Sequence, residues 1–260
     1  MKLLCTVLFL ICIAYAGKAQ NMKWNKNCVI AHRGAFKKNN LPENSIASLK
    51  EAIRLKCYGS EFDVHMTKDS VIVVNHNDDF MGIPIASATY AELLSKRHSN
   101  GEHIPTLESY LKEGMKQKGT KLILEIKVAA TPEATLALTD AVVKMVKSMK
   151  AGAWIEYISF SYDALLRVLQ LDPAAKTAFL AGLKQDVPLE KLKHDHIAQA
   201  DYYYTVYKEG DWFKQAREQG ITINAWTVNE ESDMKWLIEN KADFITTNEP
   251  ELLIDLLEKR

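Results

Sequence analysis

"CVIAHRGAFKKNNLPENSIASLKEAIRLKCYGSEFDVH", residues 28–65, changes rhythm twice. Val29-Ile30-Ala31 is a short apolar run that reads as a buried strand, and the polar pair His32-Arg33 follows it without a spacer. Residues 43–57 carry a helical pattern, and residues 60–65, "SEFDVH", return to a β-rich one. Strand, helix and strand in 38 residues make a βαβ unit.

The alternation continues to the end of the chain. "KLILEIK" (121–127) precedes a long helical pattern over 132–149, and further strands read at 154–160, 176–181, 200–206, 221–228 and 242–247. Helices are expected to begin near Tyr162, Val187, Asp211, Glu230 and Glu249. Eight strand and helix units fit a TIM (β/α)8 barrel, whose active site gathers at the C-terminal ends of the strands. Polar residues close the apolar runs at those ends: His32-Arg33, Glu61 and Asp63, Glu125 and Lys127, Ser159 and Ser161, Trp226 and Asn229.

"SEFDVHMTKDSVIVVNHNDDF" (60–80) interrupts the rhythm. The link "HMTKDS" is too short for the helical crossover that a parallel neighbour requires, so the second strand turns back as a β-hairpin. With the turn centred on Lys68-Asp69-Ser70, His76 is delivered opposite or nearly opposite Asp63.

Composition bounds what the protein binds. The 260 residues are 47% hydrophobic and 25% charged, as in a globular domain. Lys plus Arg equals Asp plus Glu at 33 each, so there is no basic excess for nucleic acid or an anionic membrane. Residues 1–20 read as a signal peptide: Lys2, an apolar run from Leu3 to Ala16, then small and polar residues. The expectation is an exported protein, periplasmic or secreted, with one domain over 21–260. Cys28 and Cys57 remain after cleavage and are expected as buried thiols rather than a disulfide.

Glu61 and Asp63, two apart, share one face of a strand. With Glu125 from the next barrel strand they place three carboxylates at one mouth, where like charges drive one another toward protonation. An oxygen-only set suits Mg²⁺ or Ca²⁺; the competing arrangement pairs the carboxylates with Arg33 and Lys127 and holds no metal. Those two cations also suit a phosphoryl group, and His32 with His76 supplies an acid and a base near neutral pH. "HDH" (194–196) lies in a helical pattern where its histidines diverge, so no second metal site is expected. "DYYYTVY" (201–207) reads as a strand with Tyr202 and Tyr204 on one face.

Taken together, "IAHRGA", "PENSIASLKEAI", "SEFDVHMTKD", "VVNHNDD", "IPTLESYL", "LILEIK", "ISFSYDALLRVLQLDP", "INAWTVN" and "FITTNEP" resemble the glycerophosphodiester phosphodiesterases. These belong to a larger group of barrel phosphodiesterases that includes the bacterial phosphoinositide-specific phospholipases C. The resemblance implies hydrolysis of glycerophosphodiesters to sn-glycerol 3-phosphate and an alcohol, with His32 and His76 catalytic and Glu61, Asp63 and Glu125 holding one divalent cation. It also implies that Arg33 and Lys127 contact phosphate, that Glu43 and Asn44 support the site, and that Trp226 walls the glycerol end. A small insertion is implied over about 79–106, with only a modest cap. The family has Asp after the second histidine where this chain has Asn77, which makes Asp78 the first candidate to orient His76. Rival readings are an enzyme of the same fold that cleaves intact lipid head groups at a membrane, and a non-catalytic phosphodiester-binding protein.

Overall fold

Alternation along each strand decides which side chains turn into the barrel and which meet the helices. The computed structural model describes residues 23–184 and 187–259, so the expected signal segment lies outside the described residues. In chain order the elements are β1 (Val29–Ala31), α1 (Ile46–Arg54), β2 (Gly59–Met66), β3 (Ile72–Val74), β4 (Asp79–Phe80), β5 (Ile83–Pro84), α2 (Tyr90–Leu93), α3 (Leu107–Gly114), β6 (Lys121–Ile126) and α4 (Pro132–Ser148). There follow β7 (Ile155–Ser159), α5 (Tyr162–Leu171), β8 (Thr177–Ala181), α6 (Leu189–His194), β9 (Gln199–Tyr203), α7 (Trp212–Gln219), β10 (Thr222–Trp226), α8 (Glu231–Glu239), β11 (Phe244–Thr247) and α9 (Pro250–Glu258).

The eight parallel strands are β1, β2 and β6 through β11. They pair side by side and close where Ile30 and Ala31 of β1 meet Gly59 and Ser60 of β2. Val29, Ala31, Ala200, Tyr202, Ile223 and Ala225 pack outward against the helices, while Ile30, Ile123, Ile158, Ala178 and Leu180 fill the interior. Burial on both faces is why these strands read as near-continuous apolar runs. The fold is the expected TIM barrel.

β3 pairs antiparallel with β2 in the expected register, Val64 facing Val74 and Met66 facing Ile72. The Asn75 N–H then donates to the Asp63 carbonyl at 3.0 Å, so His76 lies one residue past the position facing Asp63. Beyond the hairpin, Phe80, Ile85, Ala88, Leu93 and Ile104 form a small core with Val73.

At β9 the structure differs from the sequence reading. The strand ends at Tyr203, and residues 204–208 wind into a 3₁₀ turn, so Tyr204 does not share a strand face with Tyr202. The buried Tyr207 is the reason. Its single O–H lies between the carbonyls of Ala200 (2.9 Å) and Asn224 (2.8 Å), either of which can accept it, and its oxygen accepts from the Tyr202 N–H (3.1 Å), which pulls the chain back over the strand. Cys57 is a buried free thiol that is not bonded to Cys28, and burial pushes its pKa up to about 12.

Candidate active site

The turn after β1 is held from three sides. Gly34 adopts φ +79°, and a Cβ there would lie 2.5 Å from Ser48 Oγ and 2.7 Å from the Ser48 carbonyl carbon, so only glycine fits. Arg33 takes φ 54°, an uncommon conformation for a residue with a Cβ. That conformation aims the Arg33 N–H at Glu61 Oε2, 2.7 Å away. Ser45 caps α1 through a reciprocal box with Ser48, an arrangement worth about 1 kcal/mol. The cap fixes Asn44, itself at φ 55°, against Asp63: the Asn44 Nδ2 donates to Asp63 Oδ2 (2.8 Å) and the Asp63 N–H donates to Asn44 Oδ1 (3.1 Å).

Asp63 on β2 lies beside Glu125 on β6, with Glu61 two residues earlier on the same face. One carboxylate oxygen from each comes within 4.8 Å of the others, and all three residues are buried. Lys127 Nζ reaches Glu125 Oε1 at 3.0 Å and Asp63 Oδ1 at 3.3 Å. Burial, then the charges of Asp63 and Glu125, raises the Glu61 carboxyl well above the carboxylate range; burial, then Asp63, pushes Glu125 up to about 8. Burial also works against ionised Asp63, yet Lys127, the neighbouring histidines and Asn44 hold it below its usual value. Burial works against charged Lys127 as well, but Asp63 and Glu125 raise it.

One lysine therefore faces three carboxyl groups. Arg33 relieves them only in part: its guanidinium grips Glu43 (2.9 and 3.1 Å), so Glu61 meets its backbone N–H and feels its charge without a direct ion pair. Glu61 Oε1 is buried without a hydrogen-bond partner among the described residues, and Asp63 Oδ1 has only the Lys127 ion pair that Glu125 shares. Three buried carboxyl oxygens within 4.8 Å of one another, with a single lysine among them, fit around one divalent cation, which supplies the missing positive charge.

The His32 Nδ1–H donates to Asn248 Oδ1 at 2.7 Å, and burial, then Arg33, lowers its pKa to about 4. The imidazole is neutral at pH 7, with Nε2 bare. Asn248, held by Asn229 through its own N–H (3.0 Å), was missed by the sequence reading although it closes the last strand as other polar residues close theirs. The His76 Nδ1–H donates to Asn77 Oδ1 at 2.9 Å. Asp78 was the wrong candidate: its side chain is 96% exposed and its nearest basic neighbour is His65, at 3.9 Å. His65 in turn donates from Nε2 to the His76 carbonyl (3.2 Å).

His32, Arg33, Glu61, His76, Glu125, Lys127 and Trp226 line one cavity of about 160 Å³ with Ile158, Phe160, Leu180, Asp201, Thr227 and Thr246. None of residues 79–106 is among them. Trp226 meets Phe160 and Tyr203 edge-on, with ring centres 5.5 Å apart in both cases. Ser159 and Ser161 are structural: one donates to the Ile126 carbonyl (2.7 Å) and the other caps α5. Near "HDH", α6 ends at His194, and the acidic cluster above is the only one of metal-binding spacing among the described residues.

Known proteins resemble this chain over most of its length. A sequence profile of the Glycerophosphoryl diester phosphodiesterase family matches residues 32–252. A glycerophosphodiester phosphodiesterase of Caldanaerobacter subterraneus subsp. tengcongensis is 29% identical over 90% of this chain and 99% of its own. The crystal structure of a glycerophosphodiester phosphodiesterase from Parabacteroides distasonis is 40% identical, with TM-score 0.86 over 91% of this chain and 99% of that one. An Oleispira antarctica phosphodiesterase solved with the product sn-glycerol-3-phosphate shares the fold at 23% identity and TM-score 0.75, over 89% of this chain and 97% of that one. With the acidic triad, both histidines and the cations Arg33 and Lys127 gathered at the mouth of a barrel matched over nearly its whole length, this chain belongs to the glycerophosphoryl diester phosphodiesterase family and is a phosphoric diester hydrolase.

Proposed function

We propose that the cavity hydrolyses glycerophosphodiesters to sn-glycerol 3-phosphate and an alcohol, with His32 and His76 as the acid–base pair. The observation that carries this reading is the convergence of two imidazoles on one cavity lined by Glu61 and Glu125, with Asp63 buried beside them. Glu61, Asp63 and Glu125 are the residues that would hold a Ca²⁺ or Mg²⁺ ion, which when bound offsets charge on the phosphoryl oxygens. Arg33 and Lys127 add fixed positive charge on the same side. Arg33 Nε is buried without a partner among the described residues, which leaves it a donor for a phosphate oxygen.

Neutral His32 is the base. Its Nε2 takes the proton of the glycerol hydroxyl next to the phosphodiester, and that oxygen attacks phosphorus to close a five-membered cyclic phosphate. His76, nearer solvent, protonates the departing alcohol oxygen. In the second step the roles exchange: His76 takes a proton from water, the hydroxide opens the ring, and His32 returns its proton to the glycerol oxygen. Glu43 holds Arg33, and the Trp226 wall accommodates the glycerol carbons. Acting on small diesters, the mature protein would work outside the cytoplasm, as the pattern of residues 1–20 suggests.

A coupled assay for glycerol 3-phosphate across choline, ethanolamine, inositol and glycerol diesters tests the reaction. Release from none of them rejects it. A chelator should abolish turnover, and Mg²⁺ or Ca²⁺ should restore it while raising the melting temperature, since a ligand bound only by the folded state stabilises by mass action. Glu125→Gln should weaken divalent binding by at least about tenfold without lowering the melting temperature of the metal-free protein, because one repelling charge is gone. Full activity after exhaustive chelation would remove the metal from the mechanism.

One observation favours a second reading, cleavage of lipid head groups at a membrane. The sequence shows no apolar docking stretch beyond residue 20, yet the structure exposes Val128, Phe160 and Leu183 just past the ends of the adjacent strands β6, β7 and β8, with Met81 exposed in the insertion. No helix among the described residues is long and apolar enough to cross a membrane. Co-sedimentation of the mature protein with vesicles separates the two readings.

A further inference from the structure

Asp201 lines the cavity yet takes no part in the arrangement above. Along β9, Ala200 and Tyr202 pack outward with the helices, so Asp201 between them turns into the barrel. It lies beside Leu180 on β8 and Asn224 on β10, and only 1% of the residue is exposed. Its Oδ1 has no hydrogen-bond partner, and no ion pair involves it, among the described residues. Burial pushes the carboxyl up to about 7, against the opposing effect of a hydrogen bond with Asn224. Asn224 is fixed in turn: its Nδ2 donates to Thr246 Oγ1 (2.9 Å), and the Thr246 hydroxyl donates back to Asn224 Oδ1 (3.2 Å).

The indole of Trp226 lies over this residue, because its Nε1–H donates to the Asp201 backbone carbonyl at 2.8 Å. The cavity thus has two unlike poles. One carries the carboxylate triad, the histidines and the phosphate-side cations. The other is an aromatic wall of Trp226 and Phe160 above a buried carboxyl oxygen with no hydrogen-bond partner among the described residues. A quaternary ammonium would suit aromatic faces but has no hydrogen to give that oxygen. A hydroxyl does, and the hydroxyl-bearing carbons can lie against the rings. A buried acceptor of this kind strongly rejects a ligand that lacks the hydroxyl, because the acceptor is then left unpaired.

We propose that Asp201 is a specificity-determining residue that accepts a hydrogen bond from the terminal hydroxyl of the substrate's glycerol, the one not adjacent to the phosphodiester. The assignment rests on the glycerophosphodiester reading and adds to it the group that distinguishes glycerol from a shorter or deoxygenated alcohol.

Calorimetric titration of the divalent-loaded protein with sn-glycerol 3-phosphate and with 2-hydroxypropyl phosphate, which lacks only the terminal hydroxyl, tests it. The parent should bind the first at least about tenfold more tightly. Asp201→Asn should reduce that ratio and Asp201→Val should bring it near one, with thermal melts showing that each variant is folded. If Asp201→Val fails to fold, the ratio in Asp201→Asn decides alone. Equal affinity of the parent for both phosphates, or the parental ratio in a folded variant, overturns the assignment while leaving the hydrolysis reading intact. Binding of neither phosphate, together with no glycerol 3-phosphate release in the coupled assay, rejects the hydrolysis reading and this assignment with it.

Discussion

At the amino-terminal end of the barrel a cavity of about 240 Å³ lies between Tyr58, Glu156, Lys176 and Phe244; at the carboxy-terminal end the cavity is about 160 Å³. Both contain a buried glutamate on a barrel strand. The Glu156 oxygen at the base accepts from the Tyr58 hydroxyl (2.8 Å) and from Lys176 (3.4 Å). At the mouth, Glu61 keeps an oxygen with no hydrogen-bond partner among the described residues, and Asp63 and Glu125 share the single Lys127. Cavity size points to the wrong end. Unsatisfied charge points to the right one, because a carboxylate cluster that only stabilised the fold would have its oxygens matched with donors.

The most direct way to break this contrast is to remove a proton carrier at the mouth. His32→Ala and His76→Ala should each reduce kcat by at least about a hundredfold, the scale for losing a general acid or base. Circular dichroism should report intact folding. Near-parental turnover in either variant would take that histidine out of the reaction.

A second test concerns a cost that only the mouth carries. The His32 pKa is about 4 in the folded protein, against roughly 6.5 in an unfolded chain. Below pH 6.5 the unfolded state takes up a proton that the folded site refuses, so the stability contributed by neutral His32 is complete above 6.5 and is lost as pH falls toward 4. At pH 5 the loss is about 2 kcal/mol. Between pH 7.5 and pH 5 the parent's melting temperature should therefore drop by roughly 4–8 °C more than that of His32→Gln. Equal drops would mean that His32 is not held neutral by its surroundings.

Smaller effects are expected around the second histidine. Asn77→Ala should reduce kcat about tenfold, as for a residue that only orients a catalytic group. Asp78→Asn should leave it unchanged. The reverse ranking would restore Asp78 as the orienting partner. At the base, Glu156→Gln should change kcat/KM by less than about twofold while lowering stability by about 1–3 kcal/mol, the usual cost of disturbing a buried hydrogen-bonded charge. A large kinetic loss there would erase the distinction between the two ends.

How legible the molecule was depended on the range of the interaction. The eight strands, the hairpin and its register follow from patterns within 5 to 20 neighbouring residues, and the structure reproduces them. The triad was also readable, because the two-residue spacing of Glu61 and Asp63 fixes a shared face and the barrel order places Glu125 beside them. Orienting groups were not. Asn248 meets His32 across 216 residues of chain, and Asn77 rather than Asp78 holds His76 because the local turn aims one side chain at the ring and the other at solvent.

By itself, then, the sequence determined the barrel, the end at which the polar residues gather, and the residue types available for phosphodiester chemistry. Strand periodicity and strand-end position are properties of the local chain. Only the tertiary structure decided which donors each carboxylate meets: that Glu43 takes the Arg33 guanidinium away from the triad, that Tyr207 curls residues 204–208 back over β9, and that Asp201 is left under Trp226 with an unpaired oxygen. Hydrogen bonds are satisfied across the closed barrel, between strands distant in sequence, and no local pattern records which partner will be absent.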